Sequence, residues 1–321
     1  MHTGRFAFKS GKRVVIAGIV LSLFLIFGGI VTFICLVQHS AKADEKANRQ
    51  KLLKIFTSKL ELRLKKDLNE TVPEWYIDKV FSSPELKFFP NLMVKRLTWK
   101  EAKLPYAQFL EKDRIKRAYQ FLKTHEKLLD EIEKKFGVDK EVVTAIFLVE
   151  TNLGKNTGKF PVFNVFYSLA LSGNPLLIKP YAEKKGVSLS DPKVINFIKK
   201  RSNWAYKELL YLIQISYRNH WNPFEVKGSI FGAFGYPQFV PKSYIIYGYD
   251  WNKDGVVDLY QVEDALASIA NYLYIEGYKM DSSLEEKKKI IMKYNISEPY
   301  ANTVLKVAEK LKELETKSGG S

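Results

Sequence analysis

The segment from Asp139 to Gly158, DKEVVTAIFLVETNLGKNTG, constrains the fold more than any other part of the chain. Asp139 is a favourable N-cap and Gly154 a favourable stop, so the residues between them predict a helix of about three turns. Its apolar positions leave almost no polar face: Val142, Val143, Ala145, Ile146, Phe147, Leu148 and Val149. Because such a helix is stable only when apolar neighbours surround it, we expect the chain to fold around it.

Glu150 is the carboxylate at the C-terminal end of this apolar helix. Apolar surroundings and the negative end of the helix dipole both disfavour the ionised form, so the sequence predicts a raised pKa for Glu150. A glutamic acid that stays protonated near neutral pH can act as a general acid. The alternative is a helix-end residue that pairs with one of the many lysines, since ion pairs also shift pKa values.

The formal net charge of +16 over 321 residues favours a polyanionic partner, such as nucleic acid, anionic lipid or an acidic cell-wall polymer. No helix-turn-helix, zinc-finger or RNA-stacking signature accompanies the charge, so nucleic acid is not the predicted partner. The length allows one large or two small domains with a proper core. Cys35 is the single cysteine, which excludes an intramolecular disulfide.

An uncharged apolar run from Val14 to Val37 follows residues 1–13, whose charged side chains are all basic. The run is long enough to span a bilayer as a helix. By the positive-inside rule, residues 1–13 form a cytoplasmic tail and the rest of the chain lies across the membrane. We favour an uncleaved anchor because the run exceeds the usual signal-peptide core; the alternative is cleavage near Ala43, in the small-x-small triplet Ala41 to Ala43.

Residues 38–72 are predicted to form a basic helical linker, because apolar residues recur among lysines at roughly helical spacing. We place the folded domain at residues 73–316, before a flexible tail at 317–321. Inside this domain a helical pattern covers Lys112 to Phe136, and a loop is expected between Ser172 and Pro192. Two helical stretches are predicted to follow, up to Tyr217.

A loop rich in glycine and aromatic residues is predicted from His220 to Tyr244, HWNPFEVKGSIFGAFGYPQFVPKSY. Its glycines and prolines exclude one regular helix. Loops of this kind bring backbone and aromatic faces close to a ligand, so this segment is a second candidate for the functional site.

Two segments of the chain resemble the membrane-bound lytic murein transglycosylase B family. In VETNLGKNTGKFPVFNVFYSLAL, the VET triplet is followed by a glycine, then TG, then a phenylalanine, as around the family's catalytic glutamate. In the second segment, GS and GYPQFVPKSY are similar to the family's GS and GYGQFMPSSY, with Pro237 in place of a glycine. The resemblance covers about Pro73 to Lys312. It implies a mainly α, lysozyme-like catalytic domain of the goose type. With the transmembrane helix predicted from the apolar run, this domain is expected in the periplasm, anchored to the inner membrane.

The same resemblance implies which residues form the site. Glu150 would be the catalytic residue, with Ser229 and Gln238 as polar residues beside it. The remaining implied substrate-binding residues would line or close the cleft: Tyr106, Tyr272, Tyr294, Asn295 and Tyr300. For Ser229 and Gln238 the alternative role is turn formation and capping, and this alternative is stronger for Ser229 than for Gln238. For each tyrosine the alternative is core packing. Better-known members carry a long insertion after the equivalent of Gly277, and this chain lacks it.

A calcium-binding loop is also predicted. Asp250, Asn252, Asp254 and Gly255 in DWNKDGVVD match the start of an EF-hand loop, but Gln261 stands where the closing glutamate is expected. From the residues alone, an Asx-rich turn remains an open alternative. The resembled family uses a longer loop, whose closing carboxylate corresponds to Asp264. The resemblance therefore implies a structural Ca²⁺ and no organic cofactor, with these ligands: Asp250, Asn252, Asp254, the backbone carbonyl of Val256, and Asp264.

Hydrolysis of a glycosidic bond usually requires two carboxylates, and the sequence offers one well-placed acid. The family resemblance implies a lytic transglycosylase, in which Glu150 acts first as acid and then as base and leaves 1,6-anhydromuramoyl ends on peptidoglycan. The alternatives are a lysozyme-like hydrolase with an unrecognised carboxylate and a non-catalytic, membrane-tethered peptidoglycan-binding protein. The expected partners are peptidoglycan strands, the membrane and other cell-wall enzymes.

Overall fold

The computed structural model describes residues 44–99 and 106–319, which are mostly helical. The chain divides into two compact units, Met1–Phe56 and Thr57–Ser321. Residues 44–56, the described part of the first unit, are helical. The predicted cytoplasmic tail, the apolar run with Cys35, and the triplet Ala41 to Ala43 lie outside the described residues. No helix within the described ranges has both the length and the apolar character needed to cross a bilayer.

The second unit consists of helices and one small sheet. Its first helix, α1, covers residues 57–68. The other helices are α2 (Glu74–Phe81), α3 (Leu92–Thr98), α4 (Lys112–Thr124), α5 (Glu126–Phe136), α6 (Lys140–Thr151), α7 (Val162–Leu171), α8 (Lys179–Lys184), α9 (Pro192–Arg218), α10 (Pro241–Tyr247), α11 (Val262–Ile275), α12 (Leu284–Tyr294) and α13 (Glu298–Gly319). The strands are β1 (Phe160–Pro161) and β2 (Lys227–Gly228), and two 3-10 helices cover Tyr106–Leu110 and Pro175–Leu177.

Helix α6 lies in the core, as the sequence predicts. Residues 141–148 are all buried, and α6 packs against α4, α5, α11 and α13. Phe147 stacks on Phe121 with ring centroids 5.0 Å apart and meets Tyr236 edge-on at 5.3 Å. The helix ends just before Gly154, where Asn152 already adopts a left-handed backbone conformation with φ of 53°. Apolar contacts on every side therefore hold the helix that carries Glu150.

The two-stranded sheet brings the segment that follows α6 next to the loop that follows β2. The strands are antiparallel, with Phe160 opposite Gly228 and Pro161 opposite Lys227. A Cβ added to Gly158 would lie 2.1 Å from the carbonyl oxygen of Gly228, so the close approach requires glycine. Both family-like segments of the sequence meet at this sheet.

Some predicted boundaries differ from the structure. The helical pattern from Lys112 to Phe136 is split into α4 and α5 because His125 leaves the helical region, with φ of −108° and ψ of 21°. Helix α9 is a single helix of 27 residues where two stretches were expected, and it starts where Asp191 caps the amide of Lys193. The segment expected as a loop between α7 and α9 contains α8.

The compact unit also begins earlier than the predicted boundary at Pro73. Leu64 and Leu68 of α1 are 0% and 1% exposed, and Val72 is 1% exposed. Lysine-rich sequence surrounds Leu64 and Leu68, but their spacing of four residues places them on one face of α1, which packs into the core. Val72 is buried in the turn that follows α1. Part of the predicted linker is therefore part of the folded body.

A buried group of charged side chains surrounds the N-terminal end of α6. Asp139 is 3% exposed and accepts hydrogen bonds from Lys287 Nζ at 2.8 Å, Lys312 Nζ at 2.5 Å and Tyr278 Oη at 2.5 Å. Burial opposes ionisation, but these bonds outweigh it and lower the pKa of Asp139. Asp139 occupies the predicted N-cap position, yet its carboxylate makes no capping bond because the lysines and the tyrosine engage it.

Glu141 lies in the same group and is 5% exposed. Burial, followed by a hydrogen bond with Glu315, raises the pKa of Glu141 to about 7. When the pKa of a carboxyl group is higher in the folded than in the unfolded state, the group stabilises the fold fully at any pH below its unfolded-state pKa. That contribution is lost as the pH rises through the folded-state pKa. The stability of the protein should therefore fall between about pH 4.5 and pH 7 through this one group.

Replacing Glu141 by Gln is expected to raise the free energy of unfolding at pH 8 by on the order of 2 kcal/mol relative to the unaltered protein. At pH 4.5 the difference should be small, because Glu141 is then protonated and resembles glutamine. Urea unfolding of both proteins at several pH values measures this. Glu313→Gln, an exposed position on α13, is the matched control and should show no such pH dependence. An equal effect of Glu141→Gln at both pH values would contradict the prediction.

Candidate active site

Glu150 and Tyr300, two residues far apart in the sequence, meet in the structure. Glu150 is half-buried in the last turn of α6, and its Oε1 accepts a hydrogen bond of 2.7 Å from Tyr300 Oη. Tyr300 lies in the first turn of α13 and is 1% exposed. Burial, and next the negative charge of Glu150, raise the pKa of Tyr300 well above its ordinary value. Tyr300 therefore stays protonated and holds the carboxyl group of Glu150 as a donor.

Two further predicted tyrosines surround this pair. The ring of Tyr106 stands edge-on to that of Tyr300, with centroids 6.2 Å apart. Tyr294, at the end of α12, donates a hydrogen bond of 2.6 Å to the carbonyl oxygen of Pro237. Burial, and next the charge of Glu150, raise the pKa of Tyr294 well above its ordinary value. The bond to Pro237 joins Tyr294 to the loop that carries Gln238.

Tyr272 and Asn295 lie beside Tyr294. The rings of Tyr272 and Tyr294 have centroids 4.7 Å apart, and Tyr272 Oη donates to the carbonyl oxygen of Lys293 at 2.7 Å. Tyr272 is 8% exposed and packs against the Tyr294 ring. Asn295 is the half-buried C-cap residue of α12. The substrate-binding roles expected for these residues stay predictions.

Gln238 shapes the loop between β2 and α10. It adopts a left-handed backbone conformation with φ of 52°. Its Nε2 donates to the carbonyl oxygens of Thr157 at 3.1 Å and Gly235 at 2.9 Å, which links this loop to the segment after α6. With both amide hydrogens used in this way, only its carbonyl oxygen is left for a ligand, as an acceptor.

Ser229 shapes the start of the same loop. Its Oγ accepts hydrogen bonds from the amides of Phe231 at 3.3 Å and Ala233 at 3.1 Å. This is the turn-forming role that the sequence left open as the alternative for Ser229. The hydroxyl hydrogen is still able to donate to a ligand.

Thr151 is a residue of the site that sequence reasoning missed. Its Oγ1 lies 3.3 Å from the carbonyl oxygen of Phe147 and 3.4 Å from that of Tyr236, and it accepts from the amide of Gly154 at 3.1 Å. Thr151 therefore ties the end of α6 to the loop that carries Gln238. The signal was its place in the VET triplet, directly after Glu150.

The loop from Asp250 to Asp264 folds around its own carboxylates. Asp250 accepts from the amides of Lys253 at 2.7 Å and Gly255 at 2.9 Å. Asp264 is fully buried and accepts from the amides of Trp251 at 2.9 Å and Asp258 at 2.7 Å. Burial first, and the charge of Asp250 in addition, raise the pKa of Asp264 against the lowering effect of these amides.

Asn252 and Asp254 complete the front of this loop. Asn252 Nδ2 donates to Asp254 Oδ2 at 3.0 Å, and Asp254 Oδ1 accepts from the amide of Val256 at 3.0 Å. Within the described ranges, neither lysine nor arginine pairs with Asp250, Asp254 or Asp264. Carboxylate and amide oxygens without a cationic side chain form a donor set that suits Ca²⁺.

Another carboxylate group is more tightly clustered. It consists of Glu133, Asp139 and Glu141, which each place a carboxylate oxygen within 4.8 Å of the other two. Among the described residues this is the group of three that comes this close. Among the described residues, the carboxylate oxygens of the Asp250 to Asp264 loop do not come as close together. Since Lys287 and Lys312 bind Asp139, this second group is neutralised by the protein itself.

Comparisons with known sequences extend these observations. A family model described as the transglycosylase SLT domain matches residues 64–288. Membrane-bound lytic murein transglycosylase B of Escherichia coli (strain K12) is 26% identical over 171 residues, which make up 53% of this chain and 40% of that protein. The match thus spans less than half the length of this curated relative. The sequence resemblance to that family is confirmed.

Three solved structures share the fold. Soluble lytic transglycosylase SltB1 from Pseudomonas aeruginosa has a TM-score of 0.65 and 19% identity, covering 81% of this chain and 99% of its own. Slt35 from Escherichia coli in complex with calcium has a TM-score of 0.63 and 18% identity, covering 81% and 94%. SltB3 from Pseudomonas aeruginosa in complex with NAG-anhNAM-pentapeptide has a TM-score of 0.63 and 20% identity, covering 82% and 79%.

These similarities confirm the mainly α, lysozyme-like fold expected from the sequence. The family model extends from α1 into α12 and includes α6 with Glu150 and the loop with Ser229 and Gln238. Because the family model matches well over half of the residues of this chain, the chain belongs to the transglycosylase SLT domain family.

Proposed function

We propose that this protein is a lytic murein transglycosylase. It cleaves the β-1,4 bond between N-acetylmuramic acid and N-acetylglucosamine in peptidoglycan and leaves a 1,6-anhydromuramoyl end. The observation that carries the proposal is the hydrogen bond from Tyr300 to Glu150, a single acid at the end of a buried helix. The names of the similar proteins and the peptidoglycan fragment bound to SltB3 support it.

Glu150 acts twice in this reaction. As an acid it transfers its proton to the bridging oxygen, the bond from that oxygen to C1 of the muramoyl sugar breaks, and the N-acetylglucosamine end leaves with a new hydroxyl. As a base it then takes the proton of the muramoyl 6-hydroxyl, whose oxygen bonds to C1. The acid is regenerated and no water is consumed. Because the substrate supplies the nucleophile, a second carboxylate is not required.

The surrounding residues position this acid and the glycan. Tyr300 donates to one carboxyl oxygen of Glu150 and fixes the plane of the group. The carbonyl oxygen of Gln238 and the hydroxyl of Ser229 face polar groups of the sugar, such as the acetamido group. Tyr106, Tyr294 and Asn295 contact the glycan along the cleft, with Tyr272 packed against Tyr294.

Product analysis tests the proposed function. The full-length protein is incubated with purified peptidoglycan, and the released muropeptides are identified by mass spectrometry. Anhydromuramoyl ends are expected. Reducing ends in their place would assign a hydrolase, and a protein that sediments with the walls but releases nothing would be a binding protein. Either result overturns the proposal.

Tyr300→Phe is expected to lower the rate of anhydromuropeptide release by about tenfold, since a hydrogen bond to a charged group contributes roughly 1.5–3 kcal/mol. The variant keeps the ring that packs on Tyr106 and removes the donor to Glu150. Because this donor favours the ionised carboxyl group, its loss should also shift the pH–rate profile to higher pH. A lower rate without that shift would mean that Tyr300 acts through packing alone. Tyr274→Phe, at a 57% exposed ring on α11, is the matched control.

We also propose that the loop from Asp250 to Asp264 binds a structural Ca²⁺. The ligands would be the side chains of Asp250, Asn252, Asp254 and Asp264 and the carbonyl oxygen of Val256. The buried carboxylate of Asp264, whose pKa is raised by burial and by Asp250, supports this, because a cation would stabilise its ionised form. The calcium bound to Slt35 gives further support. The ion would fasten the loop that precedes α11, the helix of Tyr272.

Calcium is expected to raise the melting temperature of the full-length protein in a saturable manner, because a ligand that binds only the folded state stabilises it. Asp254→Asn should weaken this response by removing one ligand charge. Asp281→Asn, an exposed aspartate outside the loop, is the matched control and should respond like the unaltered protein. A calcium response that is identical in all three proteins would contradict the site.

We further propose that residues 14–37 anchor the protein in the inner membrane, with residues 1–13 in the cytoplasm and the catalytic unit in the periplasm. The one-sided basic flank and the length of the apolar run support this topology, as does the membrane-bound curated relative. Fractionation with an accessibility assay on spheroplasts tests it. A catalytic unit protected from added protease would contradict the topology.

A further inference from the structure

An aromatic pocket of about 450 Å³ lies between α2 and the C-terminal end of α9, and it shares no residue with the candidate active site. Tyr76 and Phe224, at 9% and 4% exposed, are its most buried aromatic residues. Trp75 is 60% exposed. The other lining residues include Tyr217, Trp221, Lys79, His220 and Asn222.

The aromatic rings of this pocket support one another. Tyr76 and Tyr217 have ring centroids 5.2 Å apart, and Trp75 meets Tyr76 edge-on at 5.9 Å and Tyr217 at 6.4 Å. Tyr76, Ile77 and Val80 are the buried residues of α2 and hold the helix in place. Trp75 contacts Tyr76 and Tyr217 while most of its surface faces solvent. Large exposed aromatic surfaces of this kind mark interaction sites.

We propose that this pocket binds a glycan strand of peptidoglycan outside the active site, an inference that rests on the proposed function. The C–H faces of β-1,4-linked pyranose rings pack on aromatic rings, whereas their hydroxyl and N-acetyl groups form hydrogen bonds at the edges. The pocket provides both kinds of contact, with Trp75 and Tyr217 as ring surfaces and Asn222 and His220 as polar groups.

The charges around the pocket favour a glycan over a lipid surface. Lys79 is exposed and forms no ion pair within the described residues, so it can approach the carboxylates of stem peptides. Glu85 also lines the pocket and is exposed. The carboxylate of Glu85 repels a surface of anionic lipid headgroups, whereas the uncharged sugar rings of a glycan tolerate it and leave the peptide carboxylates to Lys79.

The pocket is connected to the active site by a short, ordered segment. Phe224 packs against Phe163 of α7 at 5.1 Å, and the chain then continues through β2 to Ser229. Two sites on one rigid unit can hold two stretches of the same polymer. Binding of the second stretch is then intramolecular, so the pocket raises the affinity for long strands.

Fluorine NMR tests the pocket directly. The full-length Glu150→Gln variant is labelled with 5-fluorotryptophan, which reports on all five tryptophans, and titrated with the tetrasaccharide of N-acetylglucosamine. The resonances of Trp75 and Trp221, assigned through Trp→Phe variants, are expected to shift in a saturable manner. Those of Trp204, which packs on Phe166, and of Trp251 should stay in place. Unshifted Trp75 and Trp221 resonances at saturating sugar would overturn the proposal.

Binding to polymeric cell walls gives the second measurement. In the Glu150→Gln background, Trp75→Ala is expected to weaken sedimentation with purified walls by about fivefold, and Trp75→Phe should restore most of it. Tyr274→Ala, which removes a ring that is 57% exposed on α11, is the matched control and should bind like its parent. The same variants are also tested for binding to vesicles of anionic lipid. The proposal is overturned if Trp75→Ala binds walls as well as its parent does, or if it loses binding to the vesicles only.

The outcome for the pocket is separable from the outcome for the proposed function. Binding is measured with a variant that does not depend on turnover, and cleavage is measured on the unaltered protein. Anhydro products without Trp75-dependent binding would reject the pocket alone. Trp75-dependent binding without any anhydro product would reject the proposed reaction and leave the pocket as a glycan-binding site.

Discussion

Glu150→Gln is expected to reduce the release of anhydromuropeptides by about 10²- to 10⁴-fold, the range that general acid–base catalysis contributes. The amide has the size of the carboxyl group and can still accept a hydrogen bond from Tyr300, so the fold should be preserved. It can neither donate a proton to the bridging oxygen nor accept one from the 6-hydroxyl. Both halves of the proposed reaction should therefore be lost together.

The measurement is the rate of anhydro-end formation from purified peptidoglycan, with thermal unfolding as a check on the fold. Glu309→Gln, an exposed position on α13, is the matched control and should keep the full rate. A Glu150→Gln variant that folds and cleaves normally would remove Glu150 from the mechanism. In that case the Tyr300 hydrogen bond would be a structural contact between α6 and α13 only.

The local features of this site could be predicted from the sequence. The apolar run before Glu150 requires a buried helix wherever the rest of the chain lies, and α6 has that burial. The glycines of the loop from His220 to Tyr244 predict close backbone approaches, and Gly228 of that loop lies against Gly158. Both are properties of a short segment and its immediate surroundings.

Contacts between distant segments could not be predicted in this way. Tyr300 was expected near the cleft through family resemblance, but its bond to Glu150 depends on how α13 crosses α6. Asp139 was read as a capping residue because a sequence pattern cannot show that Lys287 and Lys312 reach the same carboxylate. Among the many lysines of this chain, only tertiary packing selects those that become buried partners.

Asp139→Ala is expected to lower the free energy of unfolding by about 3–5 kcal/mol, because it removes one partner from a buried group of charges. Lys287, whose side chain is 11% exposed, and Lys312, whose side chain is 49% exposed, would lose a carboxylate that is 4% exposed. Tyr278 would keep a buried hydroxyl without its acceptor. The three contacts join α6 to α12, α13 and the segment after α11, so the loss should be cooperative.

Urea unfolding of the full-length protein at pH 7 measures this loss. Asp130→Ala is the matched control, since Asp130 also pairs with a lysine of α6, Lys140 at 2.8 Å, but its side chain is 52% exposed. Exposed pairs contribute about 0–1 kcal/mol, so the control should unfold at almost the same urea concentration as the unaltered protein. Similar losses in both variants would show that burial is not what makes the Asp139 contacts strong.

The pH dependence of the Asp139 contribution has a definite sign. The folded-state pKa of Asp139 is lowered, so its stabilising effect is present above the unfolded value of about 3.9 and is lost as the pH falls through the folded value. The difference in stability between the unaltered protein and Asp139→Ala should therefore be large at pH 7 and shrink only in strong acid. Since Glu141 acts in the opposite direction, the Glu141→Gln background separates the two effects. A difference that shrinks already between pH 7 and pH 5 would mean that Asp139 is not held ionised by its two lysines and Tyr278.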